Sequence, residues 1–375
     1  MGEQLTKRLR PRDKKMMRLP YFRYHAPRSV QEAADLLAKG DATIVAGGTD
    51  LLPNMKRRQQ VPATLVGLRN IAELRRTTNG DPSTTLGAGP STTLGAGGLT
   101  IGAGVTLAEI VRDARLRTAY SGLWQAASQI ATPPLRNMGT IGGNLCLDTR
   151  CNYYDQNYEW RKAIDFCMKK DGETCWVATS SPTCLAVSST DTAPALLALG
   201  ASVSLTSADG TRRISVTDLY RNDGIHYLTR RPNEILTAVH LPPLDGWRST
   251  YWKLRRRGAF DFPVLGVACA VKLDRDGTVE AARVVLGAIA SRPLEVPDAA
   301  AVLVGPHLAT LSDEVIAHAA DVAARPARPM DNTDYTLHWR KRVTRDFVGY
   351  ALRELRGDDT RELRRRVARQ ELLVI

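Results

Sequence analysis

The sequence predicts an α+β fold, and three observations carry that reading. Capped amphipathic helices interleave with short β-branched runs in the first half of the chain. Two Asp-Gly turns, Asp209-Gly210 and Asp276-Gly277, sit between strand-like segments and mark hairpins. Neither a GxGxxG fingerprint nor a Walker A sequence is present, so Rossmann and P-loop sheets have no support.

Each element follows from local signals. In SVQEAADLLAKG, Ser29 and Glu32 form a capping box and Gly40 supplies the stop. Strands are expected in TIVAGG and ATLVGL. A second capping box, Thr106 with Glu109, opens a helix running through TLAEIVRDARL. A further helix spans Gly122 to Ile130 and closes before Pro133 and Pro134. Another starts at Asp191 and ends at Gly200. The segment ASVSLTSADGTRRISV reads as a hairpin, and strand-like runs alternate from Tyr251 to Ile289. Two helices close the chain: SDEVIAHAADVAA, and one from Asp334 to Arg356. The second sets Trp339, Val343, Phe347, Ala351 and Leu355 on one apolar face, a pattern of core packing. The octapeptide PSTTLGAG occurs twice over residues 82–97 and reads as a duplicated hairpin or loop without a functional role.

A chain of 375 residues with 43% hydrophobic content allows two or three domains and an ample core. No apolar run reaches the ~20 residues of a membrane span, and the N-terminus lacks the apolar stretch of a secretory signal. A cytoplasmic, reducing setting is therefore expected. Much of the formal net charge of +13 lies in KRLRPRDKKMMR and RELRRRVARQ. No nucleic-acid-binding motif accompanies them, so they read as solvated tails or a docking surface for an acidic protein.

Four cysteines, Cys151, Cys167, Cys175 and Cys184, crowd into one polar, aromatic-rich stretch. In a reducing compartment such thiols point to a metal or iron–sulfur centre rather than to disulfides. The spacing is wide and holds no CxxC pair, unlike a zinc ribbon or finger. Thiolates from separate turns suit a [4Fe–4S] cubane. Cys146 competes with Cys151 for the first position but reads as a small buried thiol, and Cys269 reads as core.

Other segments have the character of a nucleotide site. Gly47 and Gly48, followed by Thr49, can bring backbone N–H groups onto a phosphate oxygen, although a tight turn explains them equally. Thr140, Gly142, Gly143 and Asn144 form a second glycine-rich stretch. Asp191 can accept hydrogen bonds from a hydroxylated chain or serve as a plain N-cap. Lys253 stands beside several arginines and an aromatic pair.

In order, AGGTDLLPNMK, RNMGTIGGNLC, TDTAPALLALGA and KLRRRGAFDFPVLGVA resemble the FAD-binding medium subunits of molybdenum hydroxylases. That group contains the xanthine dehydrogenase and carbon monoxide dehydrogenase flavoproteins, and the likeness covers about residues 19–356. It implies the two-part FAD-binding fold of vanillyl-alcohol-oxidase (PCMH) type over residues 19–248, then a smaller α+β C-terminal domain over 249–356. Residues 1–18 and 357–375 would be basic tails. The resemblance implies that Ala46, Gly47, Gly48, Thr49, Asp50 and Leu51 wrap the FAD pyrophosphate. Thr140, Gly142, Gly143 and Asn144 would line the flavin and its phosphates, Asp191 would hold the ribityl or ribose side, and Lys253 would lie near the flavin ring.

The cysteine insertion, residues 147–186, is similar to that of the 4-hydroxybenzoyl-CoA reductase beta subunit. That likeness implies a [4Fe–4S] cluster on Cys151, Cys167, Cys175 and Cys184. It implies an oxidoreductase subunit with no catalytic residue of its own. Partners would be a molybdopterin-binding large subunit and a [2Fe–2S] small subunit, in a dimer of heterotrimers. Ferredoxin would supply electrons for reductive dehydroxylation of an aromatic acyl-CoA, with no nucleic acid or membrane involved. Two alternatives stay open: an oxidative hydroxylase flavoprotein passing electrons outward to NAD or a quinone, and a zinc-binding interaction protein.

Overall fold

The computed structural model describes residues 18–80 and 97–369. Most of the basic N-terminal segment and nearly all of the PSTTLGAG repeat lie outside these residues. Three sheets organise the described residues. The first is parallel, order β1-β3-β2, from β1 (Arg23–His25), β2 (Ala42–Val45) and β3 (Thr64–Gly67). The second contains β4 (Thr77–Asn79), β5 (Leu99–Gly102), β6 (Ser202–Ser207), β7 (Gly210–Ser215) and β8 (Ile235–Leu241), in the order β4-β5-β8-β6-β7. All its pairings are antiparallel. The third, also antiparallel, has β9 (Trp247–Leu254), β10 (Leu265–Leu273), β11 (Val279–Gly287) and β12 (Leu294–Glu295) in the order β12-β11-β10-β9. The α+β class and both Asp-Gly hairpins are as expected.

The third sheet is buried on both faces, and strand alternation divides its side chains between two cores. Along β10, Ala268 and Ala270 join the core shared with the second sheet. Val267, Cys269 and Val271 join the core under the C-terminal helices. Cys269 is a packing residue, as its apolar strand context predicts. Helix Thr192–Ala198 is buried along its whole length and packs on β10 and β11 from the first side. Helix Leu337–Arg356 covers β9 and β10 from the other, with Val343, Phe347, Ala351 and Leu355 buried.

Local chemistry sets the helix ends, with three departures from expectation. The Thr106–Glu109 capping box forms in full. At Ser29 only half of one forms: its hydroxyl accepts from Glu32 N at 3.1 Å, while the Glu32 carboxylate accepts from Arg28 N at 2.8 Å. The helix expected through TLAEIVRDARL breaks at Asp113, which has extended backbone. Its carboxylate caps a second helix, Ala114–Ala119, by accepting from Arg115 N. This is the competition between side chain and backbone that makes Asp a poor helix-interior residue. The C-terminal basic segment, expected to be a tail, forms helix Arg361–Arg369. Arg364 anchors it by pairing with Glu354 and stacking 4.1 Å from the Trp252 ring centroid.

Candidate cofactor sites

Four separated segments meet in space, linked contact by contact. After β2 the chain passes through Ala46 to Asp50 into helix Leu51–Lys56. Gly47 lies so close to the loop before Thr140 that a Cβ on it would fall 1.9 Å from the Met138 carbonyl oxygen. Only a residue without Cβ permits that approach. Gly48 takes a left-handed φ of 72°. Thr49 is exposed, and a Cβ at Gly139 would stand 3.6 Å from its hydroxyl.

The second segment forms the short helix Ile141–Leu145, capped by Thr140, whose hydroxyl accepts from Gly143 N at 3.0 Å. Gly142 is buried and donates to Ala103 O, whereas Gly143 is exposed on the side of Ala46. Asn144 turns to the third segment: its Oδ1 accepts from Thr190 Oγ1 (2.9 Å), Thr192 N (3.2 Å) and Thr192 Oγ1 (2.6 Å). That side-chain oxygen is thus a clamp between segments.

Asp191 occupies the N-cap position of helix Thr192–Ala198 but makes no capping bond. Instead its carboxylate accepts from Tyr251 Oη at 2.9 Å and pairs with Lys253 Nζ at 3.0 Å. Tyr251 and Lys253 stand two apart on β9 and share one face, which explains why both reach the same acid. Both charged side chains are buried, at 3% and 0% exposure for Asp191 and Lys253. Burial pushes the Asp191 carboxyl up and the Lys253 ammonium down, and their mutual attraction opposes both shifts.

Asp50 and Leu51 face elsewhere. Leu51 packs against the small core of Val45, Met55 and Leu65. Asp50 pairs with Arg150, accepts from Asn54 Nδ2 at 3.3 Å and accepts from Asp148 N at 3.4 Å. It therefore links the glycine segments to the cysteine insertion.

The insertion is pinched at its base, where Arg150 and Val187 exchange backbone hydrogen bonds of 2.8 and 2.7 Å. Asn332 clips both ends, accepting from Asn152 N and donating to Leu185 O. Within this frame Cys151, Cys167, Cys175 and Cys184 are all buried and line one cavity. Cys146 is not among the residues lining it. Two consecutive left-handed residues, Asp165 (φ 59°) and Phe166 (φ 58°), present Cys167. Such conformations are costly for residues with Cβ and persist where surrounding contacts hold them. Gly224, from a loop beyond the insertion, seals the other side: a Cβ there would stand 2.8 Å from Cys184 Sγ.

The surroundings of the thiols fit an anionic, thiolate-held group. Burial pushes Cys151 up to about 12 and Cys184 up to about 11, and neighbouring thiols of the set add to both shifts. Against this, backbone N–H groups converge on the sulfurs: Tyr153 and Tyr154 on Cys151, Lys169 and Lys170 on Cys167, and Ala186 on Cys184. Burial raises Cys167 as well, and Arg161 and Lys169 act in the opposite direction. Arg161 is fully buried, and its Nε and Nη1 have no hydrogen-bond partner. Orphaned buried donors of this kind call for an acceptor. Coordination would supply one, because a metal-bound thiol is deprotonated outright.

No group of three or more His, Cys, Asp or Glu side chains is arranged to hold a single metal ion among the described residues. A tetrahedral zinc site, with Zn–S of about 2.3 Å, needs its thiolates nearly in contact. Four thiols lining one cavity are the donor set a multi-iron group would take, one thiolate to each iron. No helix among the described residues is long and apolar enough to cross a membrane.

Lys169, Arg161, Tyr251 and Gly224 escape the sequence reading. Lys169 and Gly224 lie 55 positions apart yet touch, and no local pattern announces that contact. Tyr251 alone has a signal, its place two residues before Lys253.

Comparison with known proteins shows the family. Residues 20–244 match the family described as FAD binding domain in molybdopterin dehydrogenase, and 249–355 match the CO dehydrogenase flavoprotein C-terminal domain. The aldehyde oxidoreductase FAD-binding subunit PaoB of Escherichia coli is 33% identical over 269 residues, covering 69% of this chain and 78% of that protein. The carbon monoxide dehydrogenase medium chain of Afipia carboxidovorans is 29% identical over 288 residues, 76% of this chain and 80% of that one. Among solved structures, reconstituted CO dehydrogenase from Oligotropha carboxidovorans superposes with a TM-score of 0.70 at 25% identity, over 91% of this chain and 99% of that one. With these four segments joined in this order, the chain belongs to the molybdenum hydroxylase family as an FAD-binding medium subunit, part of an oxidoreductase.

Proposed function

We propose that this chain is the electron-transfer subunit of an oxidative molybdenum hydroxylase complex. In this reading it receives electrons from a molybdopterin-binding large subunit by way of a [2Fe–2S] small subunit. It then hands them to NAD or a quinone. One observation carries the reading: the contact chain from Gly47 through Met138, Asn144, Thr192 and Asp191 to Lys253. It brings together residues as far apart in the chain as Gly47 and Lys253. The relatives' printed names, among them xanthine, nicotinate and carbon monoxide dehydrogenases, support the oxidative direction.

When bound, FAD supplies the exchange between one- and two-electron carriers. The chain's own residues supply its place. Gly47, Gly48 and Gly143 would let backbone approach the pyrophosphate, Thr140 caps the Gly143 N–H, and Ala46 and Thr49 would complete the wall. Asp191 and Lys253, held by Tyr251 and by the segment that Asn144 clamps, would stand toward the flavin.

A second reading is favoured by the four-thiol cavity. We propose that Cys151, Cys167, Cys175 and Cys184 hold a [4Fe–4S] cluster. A one-electron centre beside the FAD segments suits a complex like 4-hydroxybenzoyl-CoA reductase, driven inward by ferredoxin. The deciding experiment is anaerobic purification of the complex, with FAD, iron and sulfide counted on this chain. Its reaction is then followed with NAD or quinone on one side and reduced ferredoxin on the other. Substrate-dependent reduction of NAD or quinone supports the oxidative reading. Turnover only with reduced ferredoxin overturns it. About four irons on wild type, lost in Cys167→Ser with FAD retained, support the cluster. FAD without iron removes it.

A further inference from the structure

We infer that Lys169 is a fixed cation that raises the reduction potential of the group held by the four thiols. This rests on the cluster reading above. Lys169 lines the cavity with the cysteines, and its side chain is only 7% exposed. Its ammonium has three donors and meets three acceptors: Asp148 Oδ1 at 2.8 Å, Thr149 Oγ1 at 2.8 Å and Gly224 O at 2.7 Å. All three N–H groups are therefore spent on protein oxygens, which locks the head group in place. Two aromatic rings flank it, Tyr154 at 4.9 Å and Tyr227 at 5.6 Å from their centroids. The Lys169 ammonium thus acts on the cavity through its field, not as a hydrogen-bond donor to sulfur, which the Lys169 backbone N–H serves at Cys167. Lys169 shares the cavity wall with Cys151, Cys167, Cys175 and Cys184.

Asp148 supplies the counterweight. It is 7% exposed at the side chain, and its Oδ2 accepts from Tyr154 Oη and from Gln60 Nε2, each at 3.0 Å. The pair is held at both ends, with the cation against the cavity. Reduction adds one negative charge to the cavity, and a nearby buried cation stabilises the reduced form more than the oxidised one. Removing the cation should therefore lower the potential. Removing only the carboxylate should leave the cation less neutralised and raise it.

The test is an EPR-monitored redox titration of the complex, with iron and sulfide counted, for wild type, Lys169→Gln, Lys169→Arg and Asp148→Asn. Lys169→Gln should weaken one-electron reduction at least tenfold, about 59 mV downward. Lys169→Arg should stay near wild type, and Asp148→Asn should move upward. The opposite signs matter, because simple loosening of the loop would move both neutralising variants the same way. Iron-replete Lys169→Gln within twofold of wild type, or two shifts of one sign, overturns the inference. If Lys169→Gln fails to hold iron, the sign of the Asp148→Asn shift decides. Wild type without iron overturns the cluster reading itself, and this inference with it; iron-replete wild type with unmoved potentials overturns this inference alone.

Discussion

Gly143→Ala separates folding from cofactor binding at the proposed FAD site. Gly143 lies in the first turn of helix Ile141–Leu145, has no left-handed φ and is exposed. Alanine in a helix is favoured over glycine by up to about 1 kcal/mol. The new methyl would stand 3.1 Å from Thr140 Oγ1 and 3.9 Å from Ala46 Cβ, with no other atom within 4 Å. The first contact asks a hydroxyl to give by a few tenths of an ångström, so folding stability should change by less than about 1 kcal/mol. In a domain of this size that is a Tm shift of about 4 °C or less. The methyl nevertheless enters the space between the two glycine segments. A phosphate oxygen displaced from a charge-assisted backbone bond there loses about 1.5–3 kcal/mol, roughly ten- to hundredfold in Kd. Gly47→Ala is the contrast, since a Cβ 1.9 Å from Met138 O forces backbone movement and should damage stability and binding together. Apoprotein titrated with FAD, beside thermal unfolding of the same preparations, reads both quantities. A Gly143→Ala protein that binds FAD within threefold of wild type would refute the placement of the pyrophosphate.

Two further outcomes follow from buried charge. Lys253→Met leaves Asp191 buried beside Tyr251 without its cation, a change worth about 3–5 kcal/mol when one partner of a buried pair is removed. Denaturant unfolding should show most of that loss, and Asp191→Asn in the same background should recover part of it. Glu234, almost fully buried at the side chain, is driven up by desolvation, but the Arg212 guanidinium and the Arg231 N–H outweigh this and hold it below the usual range. A depressed carboxyl stabilises the fold above its unfolded value of about 4.3 and loses that contribution as pH falls through the folded value. Urea midpoints measured downward from pH 5 should therefore fall less steeply in Glu234→Gln than in wild type.

Much of the fold was legible because its signals are local. Capping hydroxyls, the stops at Gly40 and Gly200 and both Asp-Gly turns depend on a few neighbouring residues, and each left its mark. The break at Asp113 was hidden because the apolar pattern continues across it, and only the choice of its carboxylate to cap forward ends the helix. Helix Arg361–Arg369 looked like a charged tail. Its anchor, Arg364 between Glu354 and Trp252, requires the packed C-terminal domain to exist first. At the sites, glycine motifs and cysteines could be named from sequence, but their roles depend on partners. Asn144 reads as a cofactor contact and proves to clamp the Thr190–Thr192 segment. Asp50 reads as part of the pyrophosphate loop and turns to Arg150 instead.

That last contact gives the insertion its functional logic. The cysteine loop leaves directly from helix Ile141–Leu145, so covalent continuity alone places its first residues beside the glycine segments. Asp148 and Arg150 then fasten it to Asp50 on the opposing segment. Lys169 in turn holds Asp148 from within the cavity. On the proposed cluster reading, a thiolate-held centre in this loop would be tied to the glycine segments through a few residues whatever the external partner is. Proximity serves electron flow in either direction, because distance enters both rates alike. Direction must come from the difference in potential between the two centres, and the residues positioned to set it are the charges around each. On one side stand Asp191 and Lys253, on the other Lys169, Asp148 and the half-satisfied Arg161. On the proposed cluster reading, the insertion would supply position through the backbone and poise through buried charge, and substitutions that leave every thiol in place would then shift the preferred flow.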